Sequence, residues 1–296
     1  MRVLVTGATG FVGSSLAPAL LDAGHAVVAM TRAASRYDPP KGVEVVEGDL
    51  LDPETLAGDF DGVDAAYYLV HSLQTGGDFE ERDREAATNF SAAASAAGVE
   101  RVLYLGGLGE TGDDLSPHLR SRQEVETLLA RGSYDLTTLR AAIIVGAGSV
   151  SFQMVRQLVT KLPVMIAPKW VYTYCQPIAI SDVVSYLVGV LDAPETAGGT
   201  YEIGGPEVLT YKEMLVRTGE AMGKRRLIVP VPVLSPRLSS YWVDLVTDIP
   251  RSISHPLILG LKNPVIVTDD SIEQHVRVDR TPFQEAVERA LTEVDE

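Results

Sequence analysis

A single cysteine, Cys175, stands in a chain of 296 residues, so no disulfide can form within it and a disulfide-stapled scaffold is excluded. No apolar run reaches the ~18 residues of a membrane-spanning helix. The nearest, Ala141 to Val150, is short and carries Gly146, Gly148 and Ser149. Lysine is scarce: Lys41, Lys161, Lys169, Lys212, Lys224 and Lys262 are the only six, and the other basic residues are arginines. Bases of both kinds total 25 against 40 acids, a formal net charge of −15. Such a field repels phosphate backbones and disfavours non-specific nucleic-acid binding. An acidic, lysine-poor surface fits a halophilic source, and an acidic protein of a GC-rich genome fits it equally. With 46% hydrophobic and 22% charged residues, the composition is that of a globular chain and not of a disordered one. The N-terminus reads as a strand and a glycine turn rather than a signal peptide, so the expectation is a soluble, cytoplasmic protein without a membrane span.

Strands and helices alternate through the first half. Apolar runs predict strands over 2–6, 26–31, 43–47, 65–70, 101–105 and within 136–145. Helices are expected over 14–23, 79–97 and 121–131, with another opened by Asp52-Pro53-Glu54 as cap and first turn. This alternation implies an α/β fold: a doubly wound parallel sheet of Rossmann type, covered on both faces. The second half is less regular. A helix over 181–191 capped by Ser181 or Asp182, a strand over 201–203 and a helix over 211–222 are expected. No clean linker divides the chain. The expected organisation is a nucleotide-binding core over 1–150 and a substrate-side region over 151–296, with a small cap around 228–267.

Gly7-Ala8-Thr9-Gly10-Phe11-Val12-Gly13 follows the first strand and opens the first helix. In that context Gly7 permits a tight turn, Gly10 lets the backbone approach a pyrophosphate, and Gly13 lets helix and strand pack closely. Free N–H groups at the helix start then face the phosphates. An NAD site places an Asp or Glu about 20 residues further on. Here Thr31 and Arg32 stand at that place, with Ser35 and Arg36 behind. A guanidinium can pair with a 2′-phosphate, so NADP(H) is expected over NAD(H), the alternative for Arg32 being a solvated surface side chain.

Residues 6–13 (TGATGFVG), 48–50 (GDL), 177–183 (PIAISDV) and 201–205 (YEIGG) resemble the extended and atypical short-chain dehydrogenase/reductase superfamily. Residues 67–72 (YYLVHS) and 105–108 (LGGL) resemble its NAD(P)H-binding, epimerase-like branch, which is similar to the NmrA-like and complex I accessory-subunit relatives. The stretch from Trp242 to Pro250 looks like that branch's extra domain. The resemblance implies that Asp49 and Leu50 contact the adenine, that Leu69, Val70 and His71 line the nicotinamide ribose, and that the segment after Arg140 passes along the nicotinamide. It also makes a homodimer an expectation by analogy.

The departure from that superfamily is as informative. Its usual members carry a Ser at the end of the fifth strand and Tyr-x-x-x-Lys on the next helix. Here Gly106-Gly107 end the strand, and His118-Leu119-Arg120-Ser121-Arg122 hold the place of the second motif. His118 and Arg122, at i and i+4, share a helix face if the helix starts early enough. Arg122 could hold the ribose but cannot act as a base. His118, neutral beside a guanidinium, could exchange a proton with a carbonyl or alcohol, or it could be structural. His71-Ser72 form a second polar pair with no orienting acid in view, which reads as a cofactor lining. Gly107, Phe152, Trp170 and Tyr172, with Tyr174, are candidates for a substrate pocket, or for core. The five histidines are too scattered for a metal site. Two functions follow: an NADP(H)-dependent oxidoreductase acting on a small or hydrophobic carbonyl or alcohol, or a non-catalytic NADP(H)-binding sensor or accessory subunit of a complex. A sugar-nucleotide epimerase ranks third, because its chemistry uses the missing tyrosine.

Overall fold

A computed structural model describes residues 1–72, 78–109, 116–231 and 247–295. The first half contains β1 (Arg2–Thr6), α1 (Phe11–Asp22), β2 (Ala26–Thr31), β3 (Glu44–Glu47), β4 (Ala65–Tyr68), α2 (Phe79–Ala96), β5 (Arg101–Gly107), α3 (Pro117–Leu129) and β6 (Asp135–Ala141). There follow β7 (Ile144–Val145), α4 (Val150–Lys161), β8 (Val164–Pro168), β9 (Tyr174–Cys175), β10 (Ile178–Ala179), α5 (Ile180–Asp192) and β11 (Thr200–Ile203). The remainder holds β12 (Leu209–Thr210), α6 (Tyr211–Ala221), β13 (Leu227–Val231), α7 (Arg251–Gly260) and α8 (Phe283–Asp295).

Seven strands form one parallel sheet in the order β11-β6-β5-β4-β1-β2-β3. Successive side chains on a strand point to opposite faces, and both faces here are covered. Val3 and Val5 of β1 pack with Leu16 and Leu20 of α1 and Leu187 of α5. Leu4 between them packs the other way, with Phe90 of α2 and Leu129 of α3. This is why the strands read as unbroken apolar runs. The carboxyl ends of β1, β4 and β5 open on one edge, where an open α/β sheet places its ligand.

Three local expectations are corrected. The segment opened by Asp52 is a single 3₁₀ turn, Pro53–Leu56: Asp52 caps it as expected, but Ala57 is extended and Gly58 takes φ +86°, which ends it. The helix expected from residue 121 starts at Pro117, because Ser116 accepts from the Leu119 N–H at 3.3 Å and proline suits the first helical position. The sixth strand, expected within 136–145, is β6; beyond its end at Ala141, β7 pairs with β10 outside the main sheet. Neither Ser181 nor Asp182 caps α5, whose cap is Ala179. The buried Asp182 carboxylate instead accepts from the Thr281 N–H and hydroxyl, both at 2.7 Å.

Within the expected cap, β13 pairs in parallel with β8, and α7 packs with Met154 and Leu158 of α4 and Leu215 of α6. Residues 232–246, including Trp242, lie outside the described residues. Among the described residues, no helix is long and apolar enough to cross a membrane.

Candidate active site

The glycine turn is built by steric demand. Gly7 takes φ +72°, and a Cβ there would stand 2.9 Å from the Leu69 carbonyl carbon. A Cβ on Gly13 would sit 2.3 Å from the Gly7 oxygen. Gly10 N–H donates to that oxygen at 2.9 Å, and Gly10 caps α1 without any side-chain bond. No acidic residue stands in the first turn, and among the described residues no side-chain cap competes for the helix's N-terminal N–H groups. Thr9 is exposed beside them. The Phe11 ring turns under the turn and packs against Gly146 and Gly148, where a Cβ would come within 2.7 Å of it. The backbone therefore offers an anion cradle that a larger residue at 7 or 13 would distort by pushing on the neighbouring backbone.

Arg32 and Arg36 are exposed just past β2. The carboxylate held in the same region is Glu47, which accepts from the Ala34 N–H at 2.8 Å. Asp49 accepts from the Leu51 N–H at 3.0 Å, and the buried Leu50 accepts at its carbonyl from Asn89 at 2.8 Å. Leu69 and His71 line the cavity described below; Val70 does not, and packs toward the opposite core.

Asp83 is the residue that sequence reasoning missed. It lies on the buried face of α2, in line with Phe79, Ala86, Ala87 and Phe90, and is 1% exposed. Its Oδ2 accepts from His71 Nδ1 at 2.8 Å and from the Ser121 hydroxyl at 3.0 Å, and its Oδ1 accepts from the Ser72 N–H at 2.7 Å. The His71-Ser72 pair thus has the orienting acid that the sequence did not reveal. The usable signal was position: a carboxylate at helical spacing within an apolar stripe. Burial works to raise the Asp83 carboxyl, but the His71 and Ser72 contacts outweigh it and bring it down to about 2.

His71 Nε2 lies 3.2 Å from His118 Nδ1. The early start of α3 puts His118 and Arg122 on one face, and both line the cavity. Burial, then His71 and Arg122, push His118 down to about 3; burial, more than the guanidinium, keeps it neutral. His71 is also lowered, by burial first and by Arg122, against the pull of Asp83. Arg122 donates to the Leu105 carbonyl and lies 5.1 Å over the Tyr104 ring, whose hydroxyl donates to the Arg122 carbonyl at 3.0 Å.

A cavity of about 440 Å³ runs from Gly7, Gly10 and Phe11 past Gly107, His118 and Arg122 into an apolar chamber. Its walls there include Met154, Val155 and Leu158 of α4, Trp170, and Ile253 and Leu257 of α7. Phe152 and Tyr172 do not line it. Residues 151, 154, 155 and 158 turn one face of α4 to the cavity, and Phe152 faces the core beside Val145 and Cys175. Tyr172 is 48% exposed under the Lys212 ammonium, and Tyr174 is 52% exposed. Burial pushes the Cys175 thiol up to about 12, so it is an inert packed residue. Among the described residues no cluster could hold a metal ion.

A parallel Rossmann sheet with a glycine turn and a cavity at its carboxyl edge defines a dinucleotide-binding protein. The chain belongs to the NAD(P)H-binding family, whose model matches residues 7–158. A Streptomyces griseus (4-alkanoyl-5-oxo-2,5-dihydrofuran-3-yl)methyl phosphate reductase is 29% identical over 230 residues, 75% of this chain and 74% of that one. The photosystem II assembly factor Ycf39 of a Synechocystis species is 24% identical over 242 residues, 79% of this chain and 71% of that one. A Mycobacterium tuberculosis 3 beta-hydroxysteroid dehydrogenase/Delta 5-->4-isomerase is 35% identical over 105 residues, 36% of this chain, and the match spans only 28% of its length. Among solved structures, Citrobacter triphenylmethane reductase complexed with NADP(H) superposes with a TM-score of 0.78 at 21% identity, covering 98% of this chain and all of that one.

Proposed function

We propose that the protein is an NADP(H)-dependent oxidoreductase acting on an uncharged, hydrophobic carbonyl or alcohol. One observation carries the reading: a single cavity joins the glycine cradle to an apolar chamber and passes a neutral histidine between them. Residues 1–150 hold the dinucleotide and 151–296 build the substrate side. Backbone N–H groups from Phe11 to Gly13 bind the pyrophosphate, and Arg32 and Arg36 neutralise the 2′-phosphate. Asp49 and Leu50 lie by the adenine. Leu69, His71 and Arg122 flank the nicotinamide ribose. When bound, the nicotinamide supplies or takes the hydride. Met154, Val155, Leu158 and Trp170 exclude water from the substrate, and His118 exchanges the proton with its oxygen. A homodimer in the cytoplasm belongs to the same reading.

The test is single-turnover oxidation of bound NADPH by a panel of hydrophobic aldehydes, ketones and quinones. Turnover with at least one member is expected, slowed ~10²-fold or more by His118→Ala. The likeness to an assembly factor, with the absent Ser and Tyr-x-x-x-Lys, favours the second reading, a non-catalytic NADP(H)-binding subunit. Tight NADPH binding, no turnover with any panel member, and co-purifying partners would decide for it.

A further inference from the structure

We infer that Asp83, His71 and His118 form a proton relay that switches His118 Nε2 between acceptor and donor toward the cavity. The inference rests on the oxidoreductase reading for its purpose, but its geometry stands apart from it. Asp83 is ionised, so His71 holds its proton on Nδ1 and donates to Oδ2. A neutral His71 then has a bare Nε2, which accepts from Nδ1–H of His118 across 3.2 Å. His118 Nε2 is left bare, and it has no hydrogen-bond partner among the described residues. With no extra proton, the relay presents a base.

One added proton reverses this. The charge settles on His71, beside the Asp83 carboxylate, and His71 Nε2–H now donates to His118 Nδ1. His118 stays neutral but carries its proton on Nε2, as a donor. The histidine nearest the substrate therefore never has to hold the charge, which burial and Arg122 oppose. The His71 side chain is 22% exposed and exchanges the relay's proton with water.

The chemistry balances. In reduction, hydride from the dihydronicotinamide forms the new C–H bond as the carbonyl π bond breaks. The oxygen takes the proton from His118 Nε2, His118 Nδ1 takes one from His71 Nε2, and His71 ends neutral on Asp83. Oxidation of an alcohol runs the same steps backward. His118 is the catalytic residue; His71 and Asp83 are positioning residues. The charged groups acting on the pair are Asp83 from α2 and Arg122 from α3; behind these two lie the Tyr68 and Tyr104 hydroxyls of β4 and β5, both held protonated by burial. Because His71 is lowered, the relay loads below the ordinary histidine range, so reduction should gain and oxidation lose as pH falls.

Long-range ¹H–¹⁵N imidazole spectra of the full chain, without nucleotide, read the switch directly. At high pH both histidines should carry their proton on Nδ1. As pH falls, His71 should become cationic while His118 stays neutral and moves its proton to Nε2. Asp83→Asn should shift that transition down by at least one pH unit. If Asp83→Asn fails to fold, His71→Asn serves, and the His118 tautomer should then cease to respond to pH. His118 on Nε2–H at every pH, or tautomers unaltered in a folded variant, would overturn the relay. Loss of NADPH turnover with the switch intact would instead overturn the oxidoreductase reading.

Discussion

Single positions carry the site. A Cβ on Gly13 meets backbone, not a movable side chain, so Gly13→Ala must push α1 from β1. We expect ~1–3 kcal/mol of lost stability from overpacking and at least a tenfold weaker NADPH affinity; urea unfolding and calorimetry measure the two. Unchanged affinity would show that the turn does not hold the nucleotide. The buried histidines set the acid limit. A group whose folded pKa is depressed is protonated first in the unfolded chain. His118, at about 3, therefore favours the folded state less and less as pH falls below ~6.5, by up to ~1.4 kcal/mol per pH unit. Asp83 works in a lower window: its stabilisation is intact above ~3.9 and fades only as pH falls through about 2. Between pH 6.5 and 4.5 wild type should lose stability, and His118→Asn should flatten that slope. Equal slopes in urea melts would refute the buried neutral imidazole.

Elements decide which side chains meet. The strands and the glycine turn were legible because periodicity and turn chemistry are local. Asp83 was hidden because α2 begins FEERDRE, where one carboxylate among many looks solvated. The helix's packing against α3 and against His71-Ser72 after β4 buries it. The start of α3 turned on Ser116-Pro117, and that cap brings His118 into line with His71. For α4 the aromatic signal misled: Phe152 faces core, while the aliphatic Met154, Val155 and Leu158 face the cavity. Val155→Trp should fill the chamber and cut binding of an apolar carbonyl ligand by tenfold or more, with NADPH affinity unchanged. Fluorescence titration of both ligands checks it; equal loss of both would mean that the chamber is not separate from the cradle.

At the scale of the molecule, charge and chain organisation matter. The net charge of −15 makes the folded surface repel itself in dilute buffer. Molar KCl should raise the urea midpoint, and a fold equally stable in dilute buffer would dispose of the halophilic reading. The sheet gathers the ends of β1, β4 and β5 on one edge, and α4 and α7 close the apolar chamber over it. That joining of an anion cradle to a dry chamber is the central claim. Isothermal titration of the intact chain with NADPH and NADH tests it most directly. Saturable uptake of one equivalent of NADPH, tighter than NADH and weakened by Arg32→Ala, is predicted; no heat with either nucleotide would contradict it.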